Sequence, residues 1–476
     1  MEKCEMTARR EIFVGIIGMG DMGRMYARVI AAAGWSVNAC DREDKFDGLK
    51  KEFAGEEWGM AQQVSDDGGL GVENIHVYAN GRLVSRISDY IMYAVEAELL
   101  DTVVAAYGPC TRPPLKEQGG ELTLTTATKL GAIVGGQTSC KAPEVKIFEK
   151  HLPPDVDIVS CHSLHGPTVD PAGQPLVIIR HKASDKSFKL VEDILSCFHS
   201  KLVYLSAEEH DTITADTQAV THAAFLSMGT AWAANNQFPW EVTRWQGGIE
   251  NVKINLTLRI YSNKWHVYAG LAILNPAAQQ QIRQYAASAT ELFKLILEGK
   301  KEELSRRIHS AGEFVFGKQK DQELLLRDDI LDKFSLSGVP PHARKPNSHL
   351  SLLAMVDCWH RCNIVPYDHI ICSTPLFRLW LGATEYLFRQ PDLLDDCIGF
   401  AMEDDTFRSD DLEFTLAARG WSDTVSFGEF DAYRRRFEKP QEYFGPRFAD
   451  ATKVGNEMIR TILERTKDME KARSKE

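Results

Sequence analysis

The chain has 476 residues, 44% of them hydrophobic and 9% aromatic, enough to bury two or three cores, so a single domain is not expected. Its formal net charge of −12 argues against nucleic acid or an anionic membrane as partner, because both demand a basic surface. An anionic small substrate would have to be caught by locally placed cations. The opening MEKCEMTARREIF is charged and has no apolar signal core, and no apolar stretch is long enough to span a bilayer. Ten scattered cysteines suit reduced thiols in the cytoplasm better than a disulfide framework.

The first element is a short apolar, β-branched run from Ile12, followed by Gly18, Gly20 and Gly23 at G-x-G-x-x-G spacing and then by an amphipathic helical pattern with Gly34 at its end. Strand, tight turn and helix in this order form a dinucleotide site. The first glycine allows the turn, the second lets the backbone approach a pyrophosphate, and the third lets the helix pack on its strand. The helix N-terminus then offers free N–H groups to phosphate. Gly18, Gly20, Asp21, Met22 and Gly23 are the cofactor-binding candidates in this turn, with the Asp21 side chain expected to point outward and Arg24 to offset it. A second strand, Trp35 to Cys40, leads into Asp41, eighteen residues after Gly23, where an acid holds the ribose hydroxyls. Asp41 alone would favour NAD. Arg42 beside it can bind a 2′-phosphate, and the pair leans to NADP.

The α/β rhythm continues through strands at Ile75 to Ala79, Tyr90 to Val95, Ala132 to Gly136, Asp157 to Ser160 and Leu176 to Ile179, and ends after Leu202 to Leu205. Val95 joins the cofactor-binding candidates. Segments 54–74 and 110–128 have no period and read as inserts, exposed and poorly ordered. From about Ala207 the spacing is of the 3.6 type and the chain is mainly helical. The expected architecture is therefore α/β plus all-α: a Rossmann-type domain over 1–205, a helical substrate domain over 206–334, a linker at 335–346, a second helical region over 347–466, and a solvated charged tail over 467–476.

An echo runs through the helical part. Thr221-His222-x-x-Phe225-Leu226-x-Met228-x-x-x-Trp232 matches Ser348-His349-x-x-Leu352-Leu353-x-Met355-x-x-x-Trp359 at identical offsets, and each is followed by an arginine, Arg259 and Arg378. Either the match is chance, or the helical unit is a degenerate internal duplication. Cys358 and Cys362, with His360 between them, lie among apolar neighbours and read as packing, so no metal is expected.

Two stretches carry candidate chemistry. Gly135-Gly136-Gln137-Thr138-Ser139-Cys140-Lys141 is a strand-to-helix turn at the edge where a nicotinamide would lie. Ser139 there either donates to a substrate oxygen or, like Thr138, merely caps the helix. Cys161-His162-Ser163-Leu164-His165-Gly166-Pro167 puts two histidines at the C-terminal end of a strand, the edge on which open α/β sheets bind ligands. A neutral imidazole can take a hydroxyl proton while hydride leaves the same carbon. His162 is the first choice for this role, and His165 is a second candidate.

The ordered set GMGDMG, CDRE, GGQTSCK, HSLHGP, ITADTQAVTHAAFLSMG and LRIYSNKWHVYAGL closely resembles the prephenate dehydrogenase family, particularly its fungal NADP-dependent form. The resemblance implies oxidative decarboxylation of prephenate to 4-hydroxyphenylpyruvate in tyrosine biosynthesis, with NADP as cofactor. It implies that His162 bonds the ring hydroxyl, that Ser139 assists, and that His222 and Arg259 bind substrate with Arg259 on a carboxylate; His165, from its position beside His162, is a further substrate-binding candidate. It also makes tyrosine a candidate feedback inhibitor, and the oligomer either a homodimer or a monomer with an internal pseudo-dimer. Two departures limit the transfer. The spacing from Arg259 to Trp265 differs from bacterial members, so Lys264 and His266 take no role, and Ala94-Val95-Glu96 stands where many relatives have a proline.

Two other readings compete. A β-hydroxyacid dehydrogenase of the same fold needs a lysine on the first helix after the nucleotide domain, and the chain has none between Lys201 and Lys253. A non-catalytic NADP-binding scaffold would leave His162 and Arg259 idle.

Overall fold

The computed structural model describes residues 9–53, 74–108, 128–242, 247–320, 322–334, 347–406 and 408–473. The linker at 335–346 and all but the ends of the two inserts lie outside the described residues. The chain divides into two compact units, Met1–Asp211 and Thr212–Glu476.

The first unit is built on eight strands: β1 (Phe13–Ile17), β2 (Ser36–Cys40), β3 (Ile75–Val77), β4 (Tyr90–Tyr93), β5 (Ile133–Gly136), β6 (Asp157–Ser163), β7 (Pro175–Lys182) and β8 (Lys201–Tyr204). Its helices are α1 (Asp21–Ala32), α2 (Phe46–Phe53), α3 (Gly81–Ile87), α4 (Leu100–Tyr107), α5 (Lys141–His151), α6 (Asp185–Leu195) and α7 (Ala207–Thr214), the last running across the boundary. The strands form one sheet in the order β3-β2-β1-β4-β5-β6-β7-β8. Neighbours are parallel except β6 and β7, which are antiparallel and joined by the loop 164–174. Both faces of the sheet are covered, which is why its strands read as nearly continuous apolar runs. In β4, Tyr90 and Met92 enter one core with Val14, Ile16, Tyr26 and Ile30, while Ile91 and Tyr93 enter the other with Ile17, Val104 and Phe148. The strand order reverses at β1 and β4, and this reversal makes the crevice outside their C-terminal ends the place for a nucleotide. The second insert is closed at its far end by Thr128, buried, whose hydroxyl donates to the Gly108 carbonyl at 2.8 Å.

The second unit is helical. It contains α8 (Val220–Ala234), α9 (Ile249–Ser262), α10 (His266–Leu274), α11 (Pro276–Leu297), α12 (Lys301–Phe316), α13 (Asp328–Lys333), α14 (Leu350–Arg361), α15 (Pro375–Phe388), α16 (Pro391–Glu403), α17 (Arg408–Phe427), α18 (Phe430–Phe444) and α19 (Phe448–Arg473). A π-helical turn over Ala215–Ala219, wholly buried, leads into α8. α8 is apolar all round and buried along most of its length, as a central helix must be. The backbone of α19 continues through Arg473, past the point where the sequence suggested a tail.

The sequence echo has a structural counterpart. Helices α8 to α12 and α14 to α18 are two sets of five in the same order, and their packing is reciprocal. α8 packs on α17 as α14 packs on α11, α18 on α8 as α12 on α14, and α10 on α18 as α16 on α12, while α11 and α17 pack on each other. The arginine part of the echo does not hold. Arg259 is the eleventh residue of α9, whereas Arg378 is the fourth residue of α15, buried, and bonded to Ser373 Oγ at 3.1 Å and the Ile370 carbonyl at 3.3 Å. The histidines differ too, because His222 lies within α8 but His349 precedes α14 at a φ of 46°. No helix among the described residues is long and apolar enough to cross a membrane.

Candidate active site

The glycine turn has the three constraints its spacing suggested. Gly18 has φ of +104°, and a Cβ there would lie 2.5 Å from the Ala94 carbonyl oxygen. A Cβ on Gly23 would lie 2.0 Å from the Gly18 carbonyl, whereas one on Gly20 would meet nothing within 4 Å. Gly20 therefore faces the open space a pyrophosphate needs. It is also the N-cap of α1 and brings no side chain to that helix's first N–H groups. Val95 packs on Gly18, Met22 packs against the core, and Asp21 is exposed, as expected. Arg24 does not offset Asp21 as the sequence suggested: it binds Glu52 at 3.0 Å and the Met19 carbonyl. Asp41 accepts from the Met19 N–H at 2.9 Å and the Arg42 N–H at 2.7 Å, and so ties the end of β2 to the turn. The Arg42 side chain is 70% exposed and lies 3.3 Å from Asp44, an exposure that leaves it able to reach a 2′-phosphate. These residues fit NADP.

The turn between β5 and α5 is built around a buried ion pair. Lys141 Nζ lies 2.9 Å from Glu144 Oε1 and also donates to the Gly136 carbonyl at 2.9 Å. Glu144 accepts from the Thr138 hydroxyl and the Ser160 hydroxyl, each at 2.6 Å. Buried charge survives only when so fully bonded. Thr138 and Ser139 do not cap α5. Its N-cap is Cys140, which makes no side-chain cap bond, and the Lys141 and Ala142 N–H groups are instead taken by the Asp211 carboxylate at 2.6 and 2.8 Å. Ser139, half-buried, bonds to the Cys140 thiol.

His162 is the penultimate residue of β6. Its Nδ1 lies 2.8 Å from His210 Nε2, and His210 Nδ1 lies 2.9 Å from Asp211 Oδ1. The two rings meet edge to face, with centroids 5.0 Å apart. Burial holds the pKa of both histidines well below the ordinary value of about 6.5. The His210 ring, Lys141 and His165 add to the shift at His162, and Lys141 adds to it at His210. His165 follows in the loop after β6, its Nδ1 bonded to the Gly166 carbonyl at 2.9 Å and its Nε2 buried without a partner. Its pKa is likewise lowered, by burial.

In the helical unit Tyr268 meets His222 by ring contact and Arg259 by electrostatic interaction. The His222 ring stands edge-on to Tyr268, centroids 4.7 Å apart, and its Nδ1 is buried without a partner. Burial carries its pKa down to about 3. A small cavity opens beside it, lined by Leu226, Tyr268, Ile282, Trp421 and Tyr433 among others. Trp421 and Tyr433 come from α17 and α18, the second set of helices. Arg259, exposed in part, donates to Asn456 Oδ1 at 2.7 Å, and its charge interacts with Tyr268. Sequence reasoning missed His210, Asp211, Tyr268 and Asn456. Only the adjacent His-Asp pair at the start of a helix carried a signal.

A domain family described as TYR1-like, 6-phosphogluconate dehydrogenase C-terminal domain, matches residues 219–464. The chain is 57% identical to the probable prephenate dehydrogenase (NADP+) of Schizosaccharomyces pombe, covering 96% of this chain and 99% of that one. It is 52% identical to the prephenate dehydrogenase (NADP+) of Saccharomyces cerevisiae, covering 96% and 95%. The chain belongs to the prephenate dehydrogenase family. A crystal structure of prephenate dehydrogenase from A. aeolicus in complex with hydroxyphenyl propionate and NAD+ aligns at 16% identity with a TM-score of 0.43, covering 62% of this chain and 94% of that one. Membership accounts for the glycine turn and the strand-end histidine together, and it sets aside the hydroxyacid dehydrogenase and scaffold readings.

Proposed function

We propose that this chain carries out the NADP-dependent oxidative decarboxylation of prephenate to 4-hydroxyphenylpyruvate in tyrosine biosynthesis, and that His162 is the proton acceptor. The observation that supports the role of His162 is its ring at the end of β6, with Nδ1 held by His210 and Nε2 left for a substrate. NADP, when bound in the glycine turn, would supply the oxidant for removal of a hydride from the carbinol carbon of the substrate. His162 Nε2 takes the hydroxyl proton from that carbon as the O–H electron pair becomes the second bond of a carbonyl. The electrons of the bond to the ring carboxylate then move through the dienone onto the carbonyl oxygen, carbon dioxide leaves, the ring becomes aromatic without a further base, and the phenolate oxygen takes back the proton held on His162. Ser139 is assigned a hydrogen bond to the reacting oxygen. Arg259 is assigned to a substrate carboxylate, where its planar guanidinium can make two parallel bonds, and His222 and His165 are assigned to substrate binding. The turn residues Gly18, Gly20, Asp21, Met22 and Gly23 with Asp41, Arg42 and Val95 are assigned to NADP. Positioning of reactants is the larger contribution, with a ceiling of about 7–11 kcal/mol.

The reading extends to feedback inhibition by tyrosine, to the cytosol, and to a monomer whose second helix set stands in for a partner subunit. The reciprocal packing of the two sets supports that last assignment. The test is to mix pure protein with NADP and prephenate, then arogenate, with and without tyrosine, and to follow the reduced cofactor. Turnover of prephenate is expected, with tyrosine lowering the rate and the protein eluting at the mass of one chain. No turnover of either compound would overturn the assignment.

A further inference from the structure

We propose that His210 and Asp211 are positioning residues that fix the tautomer of His162, so that Nε2 presents a lone pair to the substrate hydroxyl. The proposal rests on the assignment of His162 as proton acceptor. The direction of every bond follows from one fixed end. The Asp211 carboxylate, 5% exposed, accepts the Lys141 and Ala142 N–H groups at 2.6 and 2.8 Å. Backbone N–H groups can only donate, so both oxygens are oriented as acceptors. His210 Nδ1, 2.9 Å from Oδ1, must then carry its proton. A neutral His210 has its lone pair on Nε2, which accepts from His162 Nδ1–H at 2.8 Å. That leaves His162 Nε2 unprotonated.

The frame around this chain is rigid. Asp211 takes the place of the missing side-chain cap of α5, so the helix that follows the β5 turn and the ring that serves β6 are set by one carboxylate. Both charged groups of the Lys141–Glu144 pair are buried and bonded to each other, and His165 contributes the remaining titratable ring. Burial keeps His210 and His162 neutral, and neutrality is what the tautomer argument needs. When Nε2 takes the substrate proton, His162 becomes an imidazolium whose Nδ1–H still meets His210. Asp211, one ring further on, then offsets the new charge. No proton travels along the relay.

The first variant is Asp211→Asn. Oδ1 serves both the Lys141 N–H and His210 Nδ1, and Oδ2 serves the Ala142 N–H, so an amide, with a single acceptor oxygen, cannot meet all three donors and no longer fixes the His210 tautomer. With the holoenzyme and prephenate, kcat is expected to fall about tenfold or more while both KM values stay within about threefold. Ring ¹⁵N spectra of histidine-labelled enzyme are expected to show His162 Nε2 moving from acceptor type toward donor type. Because Asp211→Asn could also loosen α5, His210→Gln and His210→Leu form a second pair. Gln keeps an acceptor for His162 Nδ1 and is expected to retain more kcat than Leu at equal melting temperature. Full kcat in His210→Leu, equal losses in Leu and Gln, or an unchanged Nε2 signal in folded Asp211→Asn would overturn the relay. None of these results touches the base itself, which fails separately if His162→Asn turns over normally.

Discussion

The Lys141 ammonium lies 2.9 Å from the Glu144 carboxylate with neither side chain exposed to solvent. This pair holds the β5 turn through Thr138, Ser160 and the Gly136 carbonyl, and a Cβ on Gly136 would sit 2.3 Å from the same carboxylate. Removing one charge leaves the other buried and unpaired, which costs about 3–5 kcal/mol. Glu144→Gln is therefore expected to lower stability by that amount in a denaturant titration. A loss below about 1 kcal/mol would show that the pair contributes no more than a surface ion pair does.

Arg42 is so exposed that its replacement should leave the fold intact. Arg42→Ala is expected to reduce the preference for NADP over NAD by about tenfold to a hundredfold, the worth of a charge-assisted hydrogen bond. The check is kcat/KM with each cofactor. An unaltered ratio would place recognition of the 2′-phosphate elsewhere.

Arg259 is the cation assigned to the substrate. Arg259→Ala should raise the prephenate KM about tenfold to a hundredfold and leave the NADP KM unchanged, with Arg259→Lys between the two because a lysine cannot bond in parallel. Unchanged saturation by prephenate would remove Arg259 from the site.

The buried histidines make stability depend on pH with a definite sign. His222 has a pKa of about 3 when folded, against about 6.5 unfolded. The unfolded chain thus binds the extra proton first, and the contribution is intact above pH 6.5 and lost as pH falls toward 3. The loss is about 1.4 kcal/mol per pH unit in that window. Denaturant midpoints at pH 7 and pH 5 should fall less in His222→Gln than in the unaltered protein, and equal falls would contradict the shift.

Much of the first unit was legible because its signals are local. A glycine turn and buried strands announce themselves over ten residues, and all eight strands lie where the apolar runs placed them. His162 was legible for the same reason, as a polar residue at a strand end. His210 and Asp211 were not, because their partners lie 48 and 70 residues away and side-chain relays have no periodicity. The end of α5 taught the same lesson: serine and threonine stand ready to cap it, but a distant carboxylate does so. In the helical unit the His-Met-Trp register was readable, while the mismatch of Arg259 and Arg378 needed the helix positions.

The most direct measurement is on His162→Asn, with turnover of prephenate and affinity for NADP determined on the same preparation. The expected result is a loss of kcat of about 10² to 10⁴-fold with NADP binding unchanged. Normal turnover, or an equal loss of both, would contradict the assignment of His162 as the group that takes the substrate proton.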